Sequence, residues 1–195
     1  MSQPPIQDRP DIFILDRPEQ LRVLGATATH DAFIGLLNIR EGGVADIAKA
    51  IGKSPHSLYH HIEKLVDVGL VLPAGERRSG ARTEQLYRPV AHLLQTDPDN
   101  DDPDYLAAIA ENARADFRRA GKAVTYALAH GLAKRQPDNA NIASLQFTVP
   151  LNDEQRQRLV ARLNAVVEEF TSELEEEEGA PLHLVTLGLS PLKSS

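Results

Sequence analysis

Two short apolar segments separated by a glycine turn place the strongest constraint on the fold of this chain. Both repeat apolar residues at the three- and four-residue spacing of one helix face. The first holds Val44, Ile47, Ala48 and Ile51, and the second holds Leu58, Ile62, Leu65 and Val66. Gly52 can end the first helix, and Ser54 and Pro55 suit the N-cap and first position of the next. The sequence therefore predicts two helices joined by a tight turn, the second running from Ser54 to Val68.

The second helix is predicted to turn a polar face outward. Because Leu58 and Ile62 face inward, the residues beside them must point to solvent or to a partner. These outward residues are His56, Ser57, Tyr59, His60 and Glu63. His56 and His60 stand four residues apart and could bind a divalent ion, but no third ligand of suitable geometry is evident. Contact with a partner, plain solvated surface and metal binding stay open at this point, in that order of expectation.

A basic hairpin is predicted directly after this helix. Gly69 suits a left-handed C-cap, and Leu70 to Leu72 is predicted as a short strand. Glu76 to Arg82 forms a polar, basic hairpin tip, and Gln85 to Arg88 alternates like a return strand that Pro89 stops. Helix, turn, helix and basic hairpin are the layout of a winged helix-turn-helix.

Two more helices are predicted upstream of the pair. Pro18 to Leu24 can begin at its proline, with its leucines spaced to face one side. Thr29 to Ile39 has an apolar face, and Thr29 is its predicted N-cap. A glycine pair at Gly42 and Gly43 follows this helix and ends it.

The stretch VADIAKAIGKSPHSLYHHIEKLVDVGLV, followed by a basic tip and EQLYRPV, resembles the ArsR-type branch of winged helix-turn-helix transcriptional regulators. The resemblance covers roughly Pro18 to Val90. It implies that the helix from Ser54 lies in the DNA major groove and that the hairpin, the wing, lies against a minor groove or the flanking phosphates. The metal-sensing members carry thiols on the first helix of the pair, but Ala45 to Ala50 contains none, so no metal is expected.

The resemblance and the local charge together imply a set of DNA-binding residues. On the helix pair and the wing they are Lys53, Ser54, His56, Ser57, Tyr59, His60, Lys64, Arg77, Arg78 and Arg82. By the same resemblance His61 occupies a position next to the core. The net charge of −7 argues against a nucleic-acid partner at first sight. Phosphate binding depends on local clusters, however, and the segment from Lys49 to Arg88 has a small positive excess.

Composition excludes several other classes of protein. The chain contains no cysteine, so disulfides, zinc–thiolate sites and thiol nucleophiles are absent. No nucleophile–base arrangement or hydrolase motif occurs, so neither an enzyme nor a cofactor is expected. No apolar run approaches the ~18 residues of a membrane span, and the N-terminus lacks the order of a secretory signal. We expect a cytoplasmic protein without a membrane partner.

The second half of the chain is less informative. An acidic stretch at 96–103 is predicted to link a DNA-binding domain at 1–95 to a second domain at 104–195. A long, alanine-rich helix from Asp104 to Ala133 is a candidate dimer interface, with burial inside its own monomer as the alternative. Ala143 to Val149 and Leu182 to Leu189 are predicted as strands on either side of a helix that Asn152 caps. These strands should pair with each other or with a symmetry mate.

The sequence thus predicts an α+β fold that is mainly α, with an N-terminal winged helix-turn-helix, a long helix and a small β-α-β C-terminal domain. The expected function is that of a bacterial transcriptional repressor that binds double-stranded DNA as a homodimer. The C-terminal domain could also receive a small-molecule effector, although no residue identifies one. The alternative is a winged-helix module that binds proteins only, as a scaffold, and the acidic balance of the chain is its best support.

Overall fold

The computed structural model describes residues 12–79, 82–172 and 183–191, and it shows a mixed fold that is mostly helical. The elements are β1 Ile12–Leu15, α1 Pro18–Gly25, α2 Thr27–Ile39, α3 Val44–Ala50, a 3₁₀ turn Pro55–Ser57, α4 Tyr59–Asp67, β2 Val71–Ser79, β3 Arg82–Pro89, β4 Leu93–Thr96, α5 Pro103–Ala129 and α6 Asp153–Ser172. The chain divides into two compact units, Met1–Asp116 and Phe117–Ser195. Across the described ranges, none of the helices combines the length and the apolarity needed to cross a membrane.

The core of the first unit lies between α1 to α4 and the base of the β2–β3 hairpin. Its fully buried side chains include Leu21, Leu36, Ile47, Ile62, Leu65, Leu70 and Val71. Helices α2 and α3 approach closely at Gly35, where an added Cβ would come within 2.6 Å of the Ile51 side chain. The predicted termination of α3 is confirmed, because Gly52 adopts a φ of 64° directly after the last turn.

The predicted start of α2 is wrong by two residues. The helix begins at Thr27 with Ala26 as its N-cap, and Thr29 lies in its first turn as a buried residue. Threonine is a common N-cap residue, but the Thr29 hydroxyl bonds the His61 side chain of α4 instead. A tertiary hydrogen bond has taken the place of a local one.

The predicted continuous helix from Ser54 to Val68 is also corrected. The chain first makes a 3₁₀ turn at Pro55–Ser57, and α4 proper covers only Tyr59–Asp67. The Ser54 side chain makes no capping hydrogen bond, whereas the Ser57 hydroxyl donates to the Ser54 carbonyl at 2.7 Å. The tighter turn places Leu58 in the core at the junction between the two helical segments.

The hairpin is longer than predicted, and its basic residues occupy different places. Strand β2 runs over nine residues, so Arg77 and Arg78 lie within the strand rather than at the tip. A bulge between Pro73 and Gly75 interrupts the antiparallel ladder, and Gly75 has a φ of 106°. The Gln85 side chain donates to the Gly75 carbonyl at 2.6 Å across this irregularity.

Two further strands were not predicted from the sequence. Strand β1 pairs in parallel with β4, in a register that places Ile12 opposite Leu93 and Leu15 opposite Thr96. The pairing joins segments about eighty residues apart, so no local pattern signals it. It carries the chain of the first unit past residue 90 and onward to α5.

The first turn of α5 belongs to the first unit. Tyr105 is fully buried, its hydroxyl donates to the Leu15 carbonyl, and it accepts a hydrogen bond from the Asp97 amide at 2.8 Å. The Asp102 carboxylate caps the helix by accepting from the Asp104 and Tyr105 amides. The acidic stretch therefore packs and caps, and the first compact unit extends to Asp116.

In the second unit, α5 ends four residues before the predicted Ala133. Gly131 has a φ of 67°, and the Leu132 amide donates back to the Ala127 carbonyl, which closes the helix. The predicted cap of α6 is confirmed, since the Asn152 side chain accepts from the Gln155 amide at 2.8 Å and the Gln155 side chain accepts from the Asn152 amide at 3.0 Å.

The predicted β-α-β unit does not form within the described residues. The segments 143–149 and 183–189 contain no strand, although alternate side chains of the first, Leu145, Phe147 and Val149, are apolar and exposed. Alternation predicts a strand only where a partner supplies the ladder, and none of the described residues does so here. Leu182 and the acidic run at Glu175 to Glu178 lie outside the described residues.

The buried hydroxyl of Tyr105 leads to a stability prediction. Replacing Tyr105 with Phe should remove one hydrogen bond from the Leu15 carbonyl and one from the Asp97 amide, which keep only their 3.2 Å bond to each other, at a cost of ~1–2 kcal/mol. The free energy of unfolding is measured with urea and followed by far-ultraviolet circular dichroism. Tyr126→Phe is the matched control, because that side chain is more than half exposed. Equal stabilities of the two variants would contradict the assignment of Tyr105 to the core of the first unit.

Candidate nucleic-acid interface

The outward face predicted for the second helix is exposed in the structure. Lys53, Ser54, His56, Ser57, Tyr59, His60 and Lys64 all expose their side chains on the 3₁₀ turn, on α4 or just before them. Leu58, Ile62 and Leu65 on the opposite face are almost fully buried. Tyr59 is 54% exposed, which is unusual for a tyrosine beside a packed core. One continuous strip of cationic, imidazole and phenol groups therefore faces outward.

Ser57 and His60, two residues of the predicted set, make different contacts within the chain. The Ser57 hydroxyl donates to the Ser54 carbonyl, so its proton is engaged in the turn and only its lone pairs remain for a partner. His60 carries its ring 6.0 Å from the His61 ring and is itself exposed.

On the wing, Arg77 is held by two carboxylates. Its guanidinium lies 2.7 Å from Asp46 at the start of α3 and 2.7 Å from Glu84 on β3. Hydrogen bonds to Glu84 and Asp46 raise the pKa of Arg77. Burial alone would raise the pKa of Asp46, but the Gly43 amide and Arg77 outweigh it and lower that pKa. Arg77 is exposed, yet its charge is already compensated.

Arg78 differs from its neighbour. Its side chain is exposed and makes no ion pair or hydrogen bond with the part of the chain that the structure describes. Arg82 begins β3 opposite Ser79, and its side chain lies outside the described residues. Of Arg77 and Arg78, Arg78 is the one whose charge is available to a phosphate.

The base of the wing is fixed to the loop between α2 and α3. Gly42 and Tyr87 exchange backbone hydrogen bonds of 3.0 and 2.9 Å, so this loop adds a short bridge to the edge of β3. Glu84 lies against Gly43, where an added Cβ would come within 2.1 Å of its carboxylate. Any side chain at Gly43 would displace Glu84 and, with it, the partner of Arg77.

His61 anchors the middle of α4 to α2. Its Nδ1 lies 2.9 Å from the hydroxyl of the buried Thr29. Burial lowers the pKa of His61, and the positive charges of His60 and Lys64 lower it further. Folding therefore favours the neutral imidazole, and its hydrogen bond to Thr29 ties α4 to α2.

The C-terminal end of α4 is held by the start of α1. Arg17 and the buried Gln20 both donate to the Val68 carbonyl, at 2.7 and 3.1 Å. The Gln20 side-chain oxygen also accepts from the Asp16 and Arg17 amides, so one side chain serves both helix termini. Gly69, with a φ of 76°, confirms the predicted left-handed end of the helix.

Sequence reasoning missed these anchors. Gln20 stands three residues after Arg17, and Asp46 stands three residues after Gly43, which is the spacing of a side chain that reaches back to its own N-cap amide. That spacing could have suggested both local bonds. The partners at Val68 and Arg77 are distant in sequence, and no local signal points to them.

Metal binding finds no support in the geometry. Within the described ranges, no three histidine, aspartate or glutamate side chains converge as a metal site. His56 and His60 lie on different helical segments, because α4 begins only at Tyr59. Their four-residue spacing therefore does not carry the geometry of one continuous helix.

The fold around this face is mixed and mostly helical, and its order of elements is consistent with a winged helix-turn-helix. No family model matches the chain, and no curated protein matches it. Among solved structures the chain is similar to a mutant of Lactococcus lactis ZitR in its apo form, at 17% sequence identity and a TM-score of 0.27. The match covers 74% of this chain and 83% of that chain. A likeness this low carries no argument about function, which must rest on the site itself.

The lowered pKa of His61 predicts how stability depends on pH. Unfolding restores the ordinary pKa of about 6.5, so the unfolded chain binds more protons than the folded one below that pH. The contribution of His61 is complete above pH ~6.5 and is lost as the pH falls through the lowered pKa of the folded state.

His61→Gln should remove this dependence and flatten the slope of unfolding free energy against pH below pH ~6.5 by up to about one proton. Glutamine keeps a group that can bond Thr29. His56→Gln, a change at an exposed histidine, should keep the parent slope. The same slope in His61→Gln and the parent would mean that the imidazole titrates alike in both states.

Proposed function

We propose that this chain is a transcriptional regulator that binds double-stranded DNA as a homodimer and acts as a repressor. The observation that carries the proposal is the exposed strip on the 3₁₀ turn and α4, a helix that is held at His61 and at its C-terminal end. A helix that meets the major groove needs its base-contacting side chains exposed and its axis held, because a small rotation changes which base edges they reach. The bonds of His61, Arg17 and Gln20 hold α4 in this way.

The residues of the strip divide by their chemistry. Tyr59, His60 and His56 present groups that hydrogen-bond base edges, while Ser54 and Ser57 suit sugar–phosphate contacts near the helix start. Lys53 and Lys64 provide charge for phosphates. On the wing, Arg78 and Arg82 are the proposed phosphate contacts. Arg77 instead holds the wing against α3, so we assign it a positioning role.

A homodimer follows from the size of the proposed site. One α4 reads a half-site only, and paired helices about one DNA turn apart, ~34 Å, give such proteins useful affinity. The net charge of −7 does not oppose this, since the acidic residues lie mainly outside the strip and the wing. Repression would follow from occupancy of the operator. An effector, if the second unit receives one, would act by changing that occupancy.

The second candidate function is a protein-binding scaffold. It is favoured by the overall acidity of the chain and by the compensation of Arg77, which reduces the cationic charge of the wing. Selection of binding sites from random duplexes, followed by an electrophoretic shift, separates the two functions. The absence of any shift at low salt with micromolar protein would favour the scaffold.

Base reading predicts a loss of specificity from substitutions on the strip. Tyr59→Ala and His60→Ala should each cost ~1–3 kcal/mol of binding free energy and relax the preference at particular base pairs of the selected site. Binding is measured against the selected duplex and against single-base variants of it. His130→Ala is the control and should leave the preferred sequence unchanged. A preference unaltered in both strip variants would remove this face from the groove.

Arg77 and Arg78 on the wing should differ in the salt dependence that their loss produces. Arg78→Ala should weaken binding to all sequences and reduce the slope of log affinity against log salt by ~0.9, the value for one lost phosphate contact. Arg77→Ala should lower affinity through a looser wing while keeping the slope, because its charge is bound to Asp46 and Glu84. Equal losses of slope would place Arg77 on a phosphate and contradict its positioning role.

A further inference from the structure

Helix α6 carries an apolar seam with the spacing of a two-stranded coiled coil. Leu159, Leu163, Val166 and Phe170 follow one another at intervals of four, three and four residues, which is the d-a-d-a pattern of the heptad. Val166 is 45% exposed and Phe170 is 58% exposed. Leu159 and Leu163 are half-buried. The helix therefore presents about two heptads of seam that the described part of its own unit leaves largely uncovered.

The residues that flank the seam also follow a regular pattern of charged and apolar side chains. Arg162 and Glu169 occupy the same flanking position, g, in successive heptads, and Val160 and Val167 occupy the other, e. Val160 is 38% exposed. Opposite charges thus stand one heptad apart on one side of the seam, and apolar side chains stand one heptad apart on the other.

This pattern matches itself when two copies of α6 run antiparallel. Aligning Leu163 with the partner's Val166 also aligns Leu159 with the partner's Phe170. In the same register Arg162 faces the partner's Glu169, and Val160 faces the partner's Val167, because antiparallel helices bring g positions opposite g and e positions opposite e. Every contact occurs twice by symmetry, so the two copies form two opposite-charge pairs and two apolar pairs.

A parallel alignment loses these matches. There the g position of one helix faces the e position of the next heptad of the other, so Arg162 would meet the partner's Val167 and leave its charge unpaired. Within one helix Arg162 and Glu169 are seven residues apart, too far to pair with each other. The charge pattern has a use in an antiparallel pair and none in the isolated helix.

We propose that α6 is a docking surface for a second copy of this chain, which binds in an antiparallel arrangement through the Leu159, Leu163, Val166 and Phe170 seam. The inference rests on the homodimer of the proposed function and names its interface. The other occupant to be tested is an apolar segment of the same chain folding over the helix. Such a segment would not require opposite charges at Arg162 and Glu169.

Charge reversal on the full-length chain tests the seam. Arg162→Glu and Glu169→Arg should each raise the dimer dissociation constant by about tenfold, because each turns two attractive pairs into two repulsive ones. The double variant restores both pairs with the charges exchanged and should return toward the parent value. Glu154→Lys, a charge reversal on α6 outside the seam and its flanking positions, should leave the constant unchanged. Sedimentation equilibrium measures all five proteins, and circular dichroism verifies their folding.

The absence of native cysteine allows an independent test of orientation. Under mild oxidation, an equimolar mixture of Leu163→Cys and Val166→Cys proteins should crosslink between copies, while either variant alone should crosslink far less. Crosslinking of each variant alone would indicate a parallel pair. That result, a monomeric parent, or a double variant no better than the singles would overturn the proposal.

An electrophoretic shift assay with the same proteins distinguishes a failure of the proposed DNA binding from a failure of the proposed α6 interface. A dimer that responds to charge reversal but binds no duplex would remove the proposed function and leave the seam. Duplex binding by a dimer that ignores the charge reversals would do the opposite.

Discussion

Burial of one face of α4 is the constraint on which the rest of the first unit depends. Once Leu58, Ile62 and Leu65 enter the core, the neighbouring positions must face outward, and that face collects tyrosine, histidine and lysine. Apolar burial fixes which face points in but tolerates small rotations and slides, since it is not directional. Hydrogen bonds, which are directional, then restrict the remaining rotation and sliding of α4. Thr29 bonds His61 at the middle of the helix, and Gln20 bonds the Val68 carbonyl at its end.

The wing shows a related division between charges that hold the structure and charges that face outward. Asp46 accepts from the Gly43 amide and from Arg77, so one carboxylate both caps α3 and fixes the wing. Glu84 adds a second bond to the same arginine. A count of basic residues along the wing therefore overstates the charge available to a phosphate, and two neighbouring exposed arginines can differ in role.

Most features that depend on neighbouring residues could be predicted from the sequence. The helix ends at Gly52 and Gly69, the cap at Asn152 and the inward face of Leu58 and Ile62 were all predictable, because backbone conformation and helical periodicity decide them. The β1–β4 pairing and the partners of Arg77 were not, since each needs a group distant in sequence. The 3₁₀ turn was missed although its hydrogen bonds are local, because Ser54 and Pro55 also suit the start of an α-helix. Thr29 shows the limit of local signals. Threonine is a common N-cap residue, but the Thr29 hydroxyl bonds His61 of α4 instead. The segment at 143–149 shows the opposite case: none of the described residues pairs with it, and alternation alone makes no strand.

Symmetry connects the proposed seam on α6 to the proposed site on α4. An antiparallel helix pair has a two-fold axis perpendicular to both helices, so each copy presents an identical surface to the other and the interface closes at two chains. A duplex with inverted half-sites has a two-fold axis of its own, and a dimer bound to it must share that axis. A parallel pair would also have a two-fold axis, along the helices, so symmetry alone does not select the antiparallel form. The selection comes from Arg162 and Glu169, whose charges are matched only when the second helix runs in the opposite direction.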